Sequence, residues 1–216
     1  MSDEEDDNEI CCKVVLIGNS GVGKTCIINQ FISNEFNDQQ FTTTGATFST
    51  KKLFIQAKKK TISFEIWDTA GQEKYRALTK MFYKDSSIVI IVYDITRKES
   101  FDEIKNYWFK EVKENTNEDV IMALIGNKND LIDMEEIKEE EARNFANENG
   151  IYFACVSAKM KMGIEELFKE IGLRYLNNLK IENKEESQQK KNNKKLNKKS
   201  LKNHKHKNKN CCNNNQ

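Results

Sequence analysis

Short apolar runs alternate with longer segments of helical periodicity along most of the chain. The strand-like runs begin near Lys13, Phe48, Thr61, Ser87, Val120 and Tyr152. Apolar residues recur at helical spacing over Lys24–Ser33, Ser100–Glu114, Glu135–Asn149 and Gly163–Leu179. Alternating elements of these lengths predict an α/β fold in which helices cover both faces of a mostly parallel sheet.

The connection between the second and third runs differs from the others. Lys51 to Lys60 is too short for a crossover helix and favours a hairpin. We therefore predict a six-stranded sheet with one antiparallel edge strand. The chain of 216 residues has no proline, so its turns must depend on Gly, Asn and Asp. Its length permits one domain of about 165 to 170 residues plus tails.

A glycine-rich segment follows the first run, Lys13 to Ile17. It reads GNSGVGKT over 18–25 and matches the G-x-x-x-x-G-K-[ST] phosphate-binding loop. In such a loop the backbone N–H groups face a polyphosphate, Lys24 adds a cation for the β- and γ-phosphates, and the Thr25 hydroxyl can hold Mg²⁺. The alternative is a glycine turn before a helix. We predict nucleotide contacts from Gly18, Ser20, Gly21, Val22, Gly23, Lys24, Thr25 and Cys26.

A polar segment closes the apolar run Ile121 to Ile125. It reads GNKND over 126–130 and lies at a carboxyl end of the predicted sheet, where open α/β sheets bind ligands. The two carboxylate oxygens of Asp130 suit the N1–H and N2–H₂ donors of guanine, and adenine has no such donor pair. Such a site can reject the wrong base by about 10⁴-fold or more. Alone, the segment could be only a helix cap; behind a phosphate loop it predicts guanine binding.

A third motif, IWDTAGQE over 66–73, lies between these two. Asp68 ends the run Ile62 to Trp67, where phosphoryl-transfer sites need a second carboxylate linked to Mg²⁺ through water. Gly71 has no Cβ and can bring its N–H close to a γ-phosphate. Gln72 stands where an amide would position water.

Together these motifs resemble the small Ras-like GTPases and, within them, the Rab family, most closely its early-endosomal subgroup. The resemblance covers about residues 12 to 180. It includes WDTAGQE, NKND at 127–130, SAK at 157–159, YDIT at 93–96, ESF at 99–101 and a double cysteine near the end. It implies a P-loop small G domain over 11–180 that binds GTP or GDP with Mg²⁺ and hydrolyses GTP slowly. The implied function is a switch that recruits effectors to membranes in vesicle traffic.

The resemblance also implies roles for further residues. Thr43 takes the place of the first-switch threonine that contacts Mg²⁺ and the γ-phosphate, although Thr42 to Thr44 leave the register uncertain by one. Phe36 matches the aromatic against the guanine edge, or is a loop aromatic tucked onto the domain. Lys128 would pack along the base beside Asn127. The backbone of Ser157, Ala158 and Lys159 would close over the guanine carbonyl. The aromatics that display the switch state to effectors are matched by Phe48, Trp67 and Phe82. For Phe48 and Trp67, burial in the core is the alternative.

The implied reaction is in-line attack of water on the γ-phosphorus. Its catalytic residues would be Lys24, Thr43 and Gln72. The first arginine in the chain is Arg76, so nothing before it can act as an arginine finger, a group worth about 10³ to 10⁵ in rate. We therefore expect slow hydrolysis that an activating protein accelerates. The other expected partners are an exchange factor, a dissociation inhibitor or escort protein, and effectors, acting on a monomer.

Charge is unevenly distributed although the net charge is only +1. Residues 1–10 form an acidic segment that we predict to be disordered. Residues 181–216 are rich in Asn, Lys and Gln, with ten lysines and no acid over 190–210, and also predict disorder. Cys211 and Cys212 lie near the end, and by resemblance they carry prenyl groups, which with a polybasic segment would hold the chain on a membrane. The four residues after Cys212 are one more than such tails usually have.

Several other classes of protein fit less well. No apolar segment approaches the 18 or so residues that span a bilayer, and the acidic start is unlike a signal peptide. The six cysteines lack the spacing of a zinc site or a disulfide framework, and a nucleotide switch implies the reducing cytosol. The resemblance adds the cytoplasmic face of endomembranes, in particular early endosomes. A scaffold that holds GTP without turnover and a Ras-like GTPase outside vesicle traffic remain alternatives. Nucleic-acid binding by the tail is not expected, because the tail lacks aromatics for stacking.

Overall fold

A computed structural model of the chain describes residues 9–38, 43, 45–69 and 81–179. The chain divides into two units, Met1–Tyr175 and Leu176–Gln216. In the second unit the structure describes only residues 176–179, which are the last turn of a helix. Among the described residues, no helix is both long and apolar enough to cross a membrane.

Six strands form one sheet in the order β2-β3-β1-β4-β5-β6. All neighbours are parallel except β2 and β3, which are antiparallel and joined by a short turn, so the predicted hairpin and edge strand are confirmed. The strands are β1 (Glu9–Ile17), β2 (Thr47–Ile55), β3 (Lys60–Asp68), β4 (Ile88–Asp94), β5 (Ile121–Asn127) and β6 (Tyr152–Cys155).

Helices connect the parallel strands. They are α1 (Lys24–Ser33), α2 (Lys98–Glu103), a π-helical turn (Ile104–Trp108), α3 (Phe109–Asn115), a 3₁₀ segment (Asn129–Met134), α4 (Glu139–Glu148) and α5 (164–179). Residues 81–83 are also helical. The predicted single helix over Ser100–Glu114 therefore contains a π turn, and the one over Glu135–Asn149 begins four residues later than predicted.

The core lies on both faces of the sheet. All seven residues of β4 are buried, as expected for a parallel strand between two others. On one face, Phe101, Ile104 and Trp108 pack with side chains of β1 and β4. On the other, Phe31 of α1 stacks on Phe168 of α5 with ring centroids 3.6 Å apart, and Phe64 of β3 meets both rings edge-on. Helices therefore cover both faces, as the sequence predicts.

The structure corrects the start of the first strand. β1 begins at Glu9 rather than Lys13, so residues 9 and 10 of the segment predicted to be disordered belong to the sheet. Glu9 to Cys12 pair in parallel with Thr61 to Phe64 of β3, and the Glu9 carboxylate accepts a hydrogen bond from Lys52 Nζ at 2.6 Å. Glu9 and Cys11 are exposed and break the apolar pattern, while strand pairing holds them in place.

Candidate functional site

A cavity of about 370 Å³ opens at the carboxyl ends of the strands, next to β1, where the strand order reverses. In the described part of the chain, its wall comes from five segments: the glycine-rich loop with the start of α1, the segment after α1, the residue after β3, the loop after β5 and the loop after β6. The lining residues are Ser20, Gly21, Gly23, Lys24, Thr25, Cys26, Phe36, Asn37, Asp38, Thr43, Thr69, Asn127, Lys128, Asp130, Leu131, Ala158 and Lys159.

The glycines of the loop stand where other residues would not fit. Gly18 has φ +135°, and a Cβ there would lie 2.2 Å from the Val92 carbonyl oxygen. Gly23 has φ +93°, and a Cβ there would lie 2.2 Å from Asn127 Nδ2. The loop leads into α1 at Lys24, so the unpaired N–H groups of the first helical turn face the cavity wall. This is an anion-binding geometry.

The Lys24 ammonium lies within this loop and is 5% exposed. It donates to the carbonyl oxygens of Gly18 at 2.8 Å and Asn19 at 2.9 Å. Burial lowers the pKa of Lys24 to about 8, with the Asp68 carboxylate raising it and Arg97 lowering it further. The described hydrogen-bond partners of the Lys24 ammonium are therefore neutral carbonyl oxygens. An anion in the cavity would favour the protonated form of Lys24.

Three side-chain oxygens meet at the start of α1. The Thr25 hydroxyl donates to Asp68 Oδ2 at 2.5 Å and lies 3.0 Å from Thr43 Oγ1, which is 3.5 Å from the same carboxylate oxygen. Asp68 is 2% exposed, and its Oδ1 has no hydrogen-bond partner among the described residues. Burial raises the pKa of Asp68, and the Thr25 hydroxyl and Lys24 partly oppose this. An all-oxygen donor set with an orphaned carboxylate oxygen fits a hard cation such as Mg²⁺.

The end of the cavity that the sequence predicts to bind the base is built on Asp130 and Asn127. Asp130 Oδ1 accepts a hydrogen bond from Ser157 Oγ at 2.5 Å. Asn127 is 2% exposed, and its amide joins two loops: Nδ2 donates to the Val22 carbonyl at 2.9 Å, and Oδ1 accepts from the Ala158 N–H at 3.2 Å. Asn127 therefore holds the phosphate loop and the loop after β6 at a fixed distance.

Lys128 lies beside this pair with a left-handed backbone, φ +68°. Its Nζ is 2.6 Å from Asp94 Oδ2, and Asp94 is 3% exposed. The other oxygen of Asp94 accepts from the Thr96 N–H at 3.0 Å and the Thr96 hydroxyl at 2.8 Å. Asp94 thus fixes the position of the Lys128 side chain.

Most of the predicted site residues come together at this cavity. Phe36 lines it, as does Thr43; Thr42 and Thr44, which would take the alternative registers, lie outside the described residues. Lys159 Nζ lies 3.9 Å from Asp38 Oδ2 across the mouth of the cavity. Gly18, Val22, Asp68 and Ser157 are not in the lining; Val22 and Ser157 are fully buried, and Ser157 supports Asp130 through its hydroxyl. Gly71, Gln72, Cys211 and Cys212 lie outside the described residues.

Besides the lining residues Asn37, Asp38 and Leu131, four supporting residues were not predicted from the sequence as part of the site. Thr69 Oγ1 donates to the Leu16 carbonyl at 2.7 Å, and Trp108 Nε1 donates to Asn19 Oδ1 at 2.9 Å. Arg97 Nη2 donates to the Ser20 carbonyl at 2.7 Å, and Asp94 holds Lys128. A signal existed for Asp94 alone, since a carboxylate directly after a wholly apolar run lies at the carboxyl edge of the sheet.

The three predicted effector aromatics are adjacent. The rings of Phe48 and Trp67 have centroids 5.1 Å apart, and those of Trp67 and Phe82 are 5.4 Å apart. Phe48 is 51% exposed, so the alternative of a core position is wrong for this residue. Trp67 and Phe82 are half-buried and pack against the core.

Comparison with known proteins gives one consistent family. The model of the Ras family matches residues 13–177. The GTP-binding protein ypt3 of Schizosaccharomyces pombe is 41% identical over 168 residues, which cover 78% of this chain and 77% of the relative. Human Ras-related protein Rab-22A is 43% identical over 75% of this chain and 82% of its own length, and Ras-related protein Rab5A of Oryza sativa subsp. japonica is 40% identical over 76% and 79%.

Proposed function

The chain belongs to the Ras family as a Rab-type GTPase of vesicle trafficking, and we propose that the cavity described above is its guanine-nucleotide site. Members of this family bind GTP or GDP with Mg²⁺ and hydrolyse GTP. One observation carries the assignment of the site. Asp130, Lys24 and the Thr25–Asp68 pair meet around one cavity, although the phosphate loop and the base loop are 105 residues apart at the Val22–Asn127 hydrogen bond.

Each part of the wall has a role in this proposal. The Asp130 carboxylate pairs with the guanine edge, and Lys128 and Phe36 flank the base. The N–H groups of Gly21 and Gly23, the start of α1 and the Lys24 ammonium bind the phosphates. Thr25 and Thr43 would hold Mg²⁺, with Asp68 acting through water, and the ion would neutralise charge on the phosphate oxygens.

Hydrolysis forms a bond from a water oxygen to the γ-phosphorus as the bond to the bridging oxygen breaks, which yields GDP and phosphate. The chain contributes position and charge: Lys24 and the loop amides stabilise the negative charge, and Thr43 holds its segment against the phosphates. We assign the positioning of water to Gln72, which lies outside the described residues. No arginine precedes Arg76, so an activating protein supplies the missing cation and unassisted turnover is slow.

The output of the switch belongs to the aromatic surface and the tail. The rings of Phe48 on β2, Trp67 on β3 and Phe82 lie side by side, and β2 follows the Thr43 segment in the chain; we assign effector binding to these three rings. Cys211 and Cys212 carry prenyl groups and, with the tail lysines, attach a monomer to the cytoplasmic face of early endosomes; an exchange factor and a dissociation inhibitor or escort protein complete the cycle.

The test of this function is base selectivity. Full-length protein should bind GTP and GDP at least about 10⁴-fold more tightly than ATP, as measured by competition with a fluorescent guanine nucleotide. Asp130→Asn, which turns one acceptor oxygen into a donor, should lose about 10³-fold or more of the GTP affinity.

Asp133→Asn is the matched control, because Asp133 is exposed on the same 3₁₀ segment and does not line the cavity. It should bind GTP as the wild type does. Equal affinity of the wild type for ATP and GTP, or an unchanged Asp130→Asn variant, would refute the assignment. Tight binding without any release of phosphate over many hours would favour the scaffold instead.

A further inference from the structure

Arg97 reaches the phosphate loop from a part of the chain with no predicted role. Its Nη2 donates to the Ser20 carbonyl oxygen at 2.7 Å, across 77 residues of sequence. The backbone of Arg97 is itself fixed. Its N–H donates to the Asp94 carbonyl at 3.0 Å, and its carbonyl accepts from the Ser100 N–H at 3.0 Å and the Ser100 hydroxyl at 2.7 Å. The fully buried Ser100 thus anchors the residue that carries the guanidinium.

The contact has a geometric consequence for the next residue. The Ser20 carbonyl and the Gly21 N–H belong to one trans peptide, so they point in opposite directions. Arg97 binds the carbonyl from outside the cavity, and Gly21 lines the cavity. The Gly21 N–H is therefore directed inward.

The guanidinium also brings a permanent positive charge to the loop. Arg97 binds a loop carbonyl and does not line the cavity, which separates it from an arginine finger that touches the transferred phosphate.

On the basis of the guanine-nucleotide site proposed above, we propose that Arg97 is a positioning residue for the polyphosphate. Arg97 orients the Ser20–Gly21 peptide and adds positive charge behind it. A nucleotide with two or three phosphates should depend on Arg97. A nucleotide with a single phosphate, bound mainly through the base and the start of α1, should not.

The experiment compares Arg97→Ala, Arg97→Lys and wild type as full-length proteins. Affinities for GDP, a non-hydrolysable GTP analogue and GMP are measured by competition with a fluorescent nucleotide. Arg97→Ala should bind GDP and the GTP analogue about tenfold more weakly, as expected for one charged hydrogen bond, and GMP within about twofold of wild type. Arg97→Lys should recover part of the loss. Lys98→Ala is the matched control, because it removes a neighbouring exposed cation.

Three results would overturn the proposal. Arg97→Ala could bind GDP and the GTP analogue as wild type does, which would make the contact irrelevant to binding. All three nucleotides could weaken equally together with a lower thermal midpoint of the nucleotide-free protein, which would make Arg97 a support of the fold. Wild type could fail to bind guanine nucleotides; that result, seen before any variant is compared, would reject the proposed function as well.

Discussion

At the scale of single residues, the phosphate loop needs glycine because neighbouring atoms approach closely as much as because the backbone is left-handed. Gly23 has φ +93° and faces the Asn127 amide, which is already engaged with Val22 and Ala158. Gly150 has φ +66° but nothing within 4 Å of an added Cβ. The two glycines therefore separate strain in the backbone from a clash in the site.

Gly23→Ala should lose about 100-fold or more of the GDP affinity, because the methyl group must displace Asn127 and with it the hydrogen bonds to two loops. Gly150→Ala should lower the free energy of unfolding by about 1 to 2 kcal/mol, the strain of a left-handed residue with Cβ, and leave GDP affinity unchanged. Nucleotide titration and denaturant unfolding measure both. Similar GDP affinities of the two variants would contradict the role given to Gly23.

At the scale of elements, the site is assembled from the ends of parallel strands. β1 ends at the phosphate loop, β3 at Asp68, β4 at Asp94, β5 at Asn127 and β6 just before Ser157. Since these ends lie along one edge of the sheet, polar residues far apart in sequence become neighbours. The Asp94–Lys128 pair is the clearest case, because it joins the ends of β4 and β5, which pair through Asp94 and Asn127.

Asp94→Asn should accelerate GDP dissociation about tenfold, because Lys128 loses its charged partner beside the base. Removing one member of a buried pair can cost about 3 to 5 kcal/mol, but Lys128 is about one-third exposed, so solvent reduces the effect. Stopped-flow release of a fluorescent GDP measures the rate. Asp102→Asn, which breaks the exposed pair with Lys105 on the following helix, should release GDP within about twofold of wild type. Matching rates for both variants would remove the role assigned to Asp94.

At the scale of the whole molecule, the three aromatic rings of Phe48, Trp67 and Phe82 do not line the proposed nucleotide cavity. Phe48 and Phe54 lie on the same strand, β2, and are similarly exposed, at 51% and 56%. Of these two phenylalanines, Phe48 is the one whose ring packs beside the Trp67 ring, with the centroids 5.1 Å apart.

Phe48→Ala should therefore lose the proteins that bind the GTP-loaded chain but not the GDP-loaded chain, because it removes one ring of the three-ring surface. Phe54→Ala should keep them. Quantitative mass spectrometry of proteins retained from cell extract by each nucleotide form gives the comparison. Equal GTP-selective sets for both variants would exclude the aromatic surface as the effector site.

Membrane attachment is tested on the intact chain in cells. Tagged wild type should concentrate on endosomal membranes, and a Cys211→Ser, Cys212→Ser double variant should be diffuse, since prenyl chains provide the apolar anchor. The mass of protein isolated from cells should exceed the sequence mass by the added lipid. A diffuse wild type, or an unmodified mass, would contradict prenylation.

The sequence by itself determined the α/β class, the hairpin, both covered faces of the sheet and most of the cavity wall. Such features depend on local patterns: apolar periodicity, a glycine-rich loop after a strand, and polar residues at strand ends. The tertiary structure alone decided which residues hold the loop from behind. Trp108, Arg97 and Asn127 each reach the phosphate loop from at least 77 residues away, and Glu9 joins β1 although it is charged and exposed. Contacts of this kind follow from how the strands and helices pack, and no local pattern of hydrophobic and polar residues encodes them.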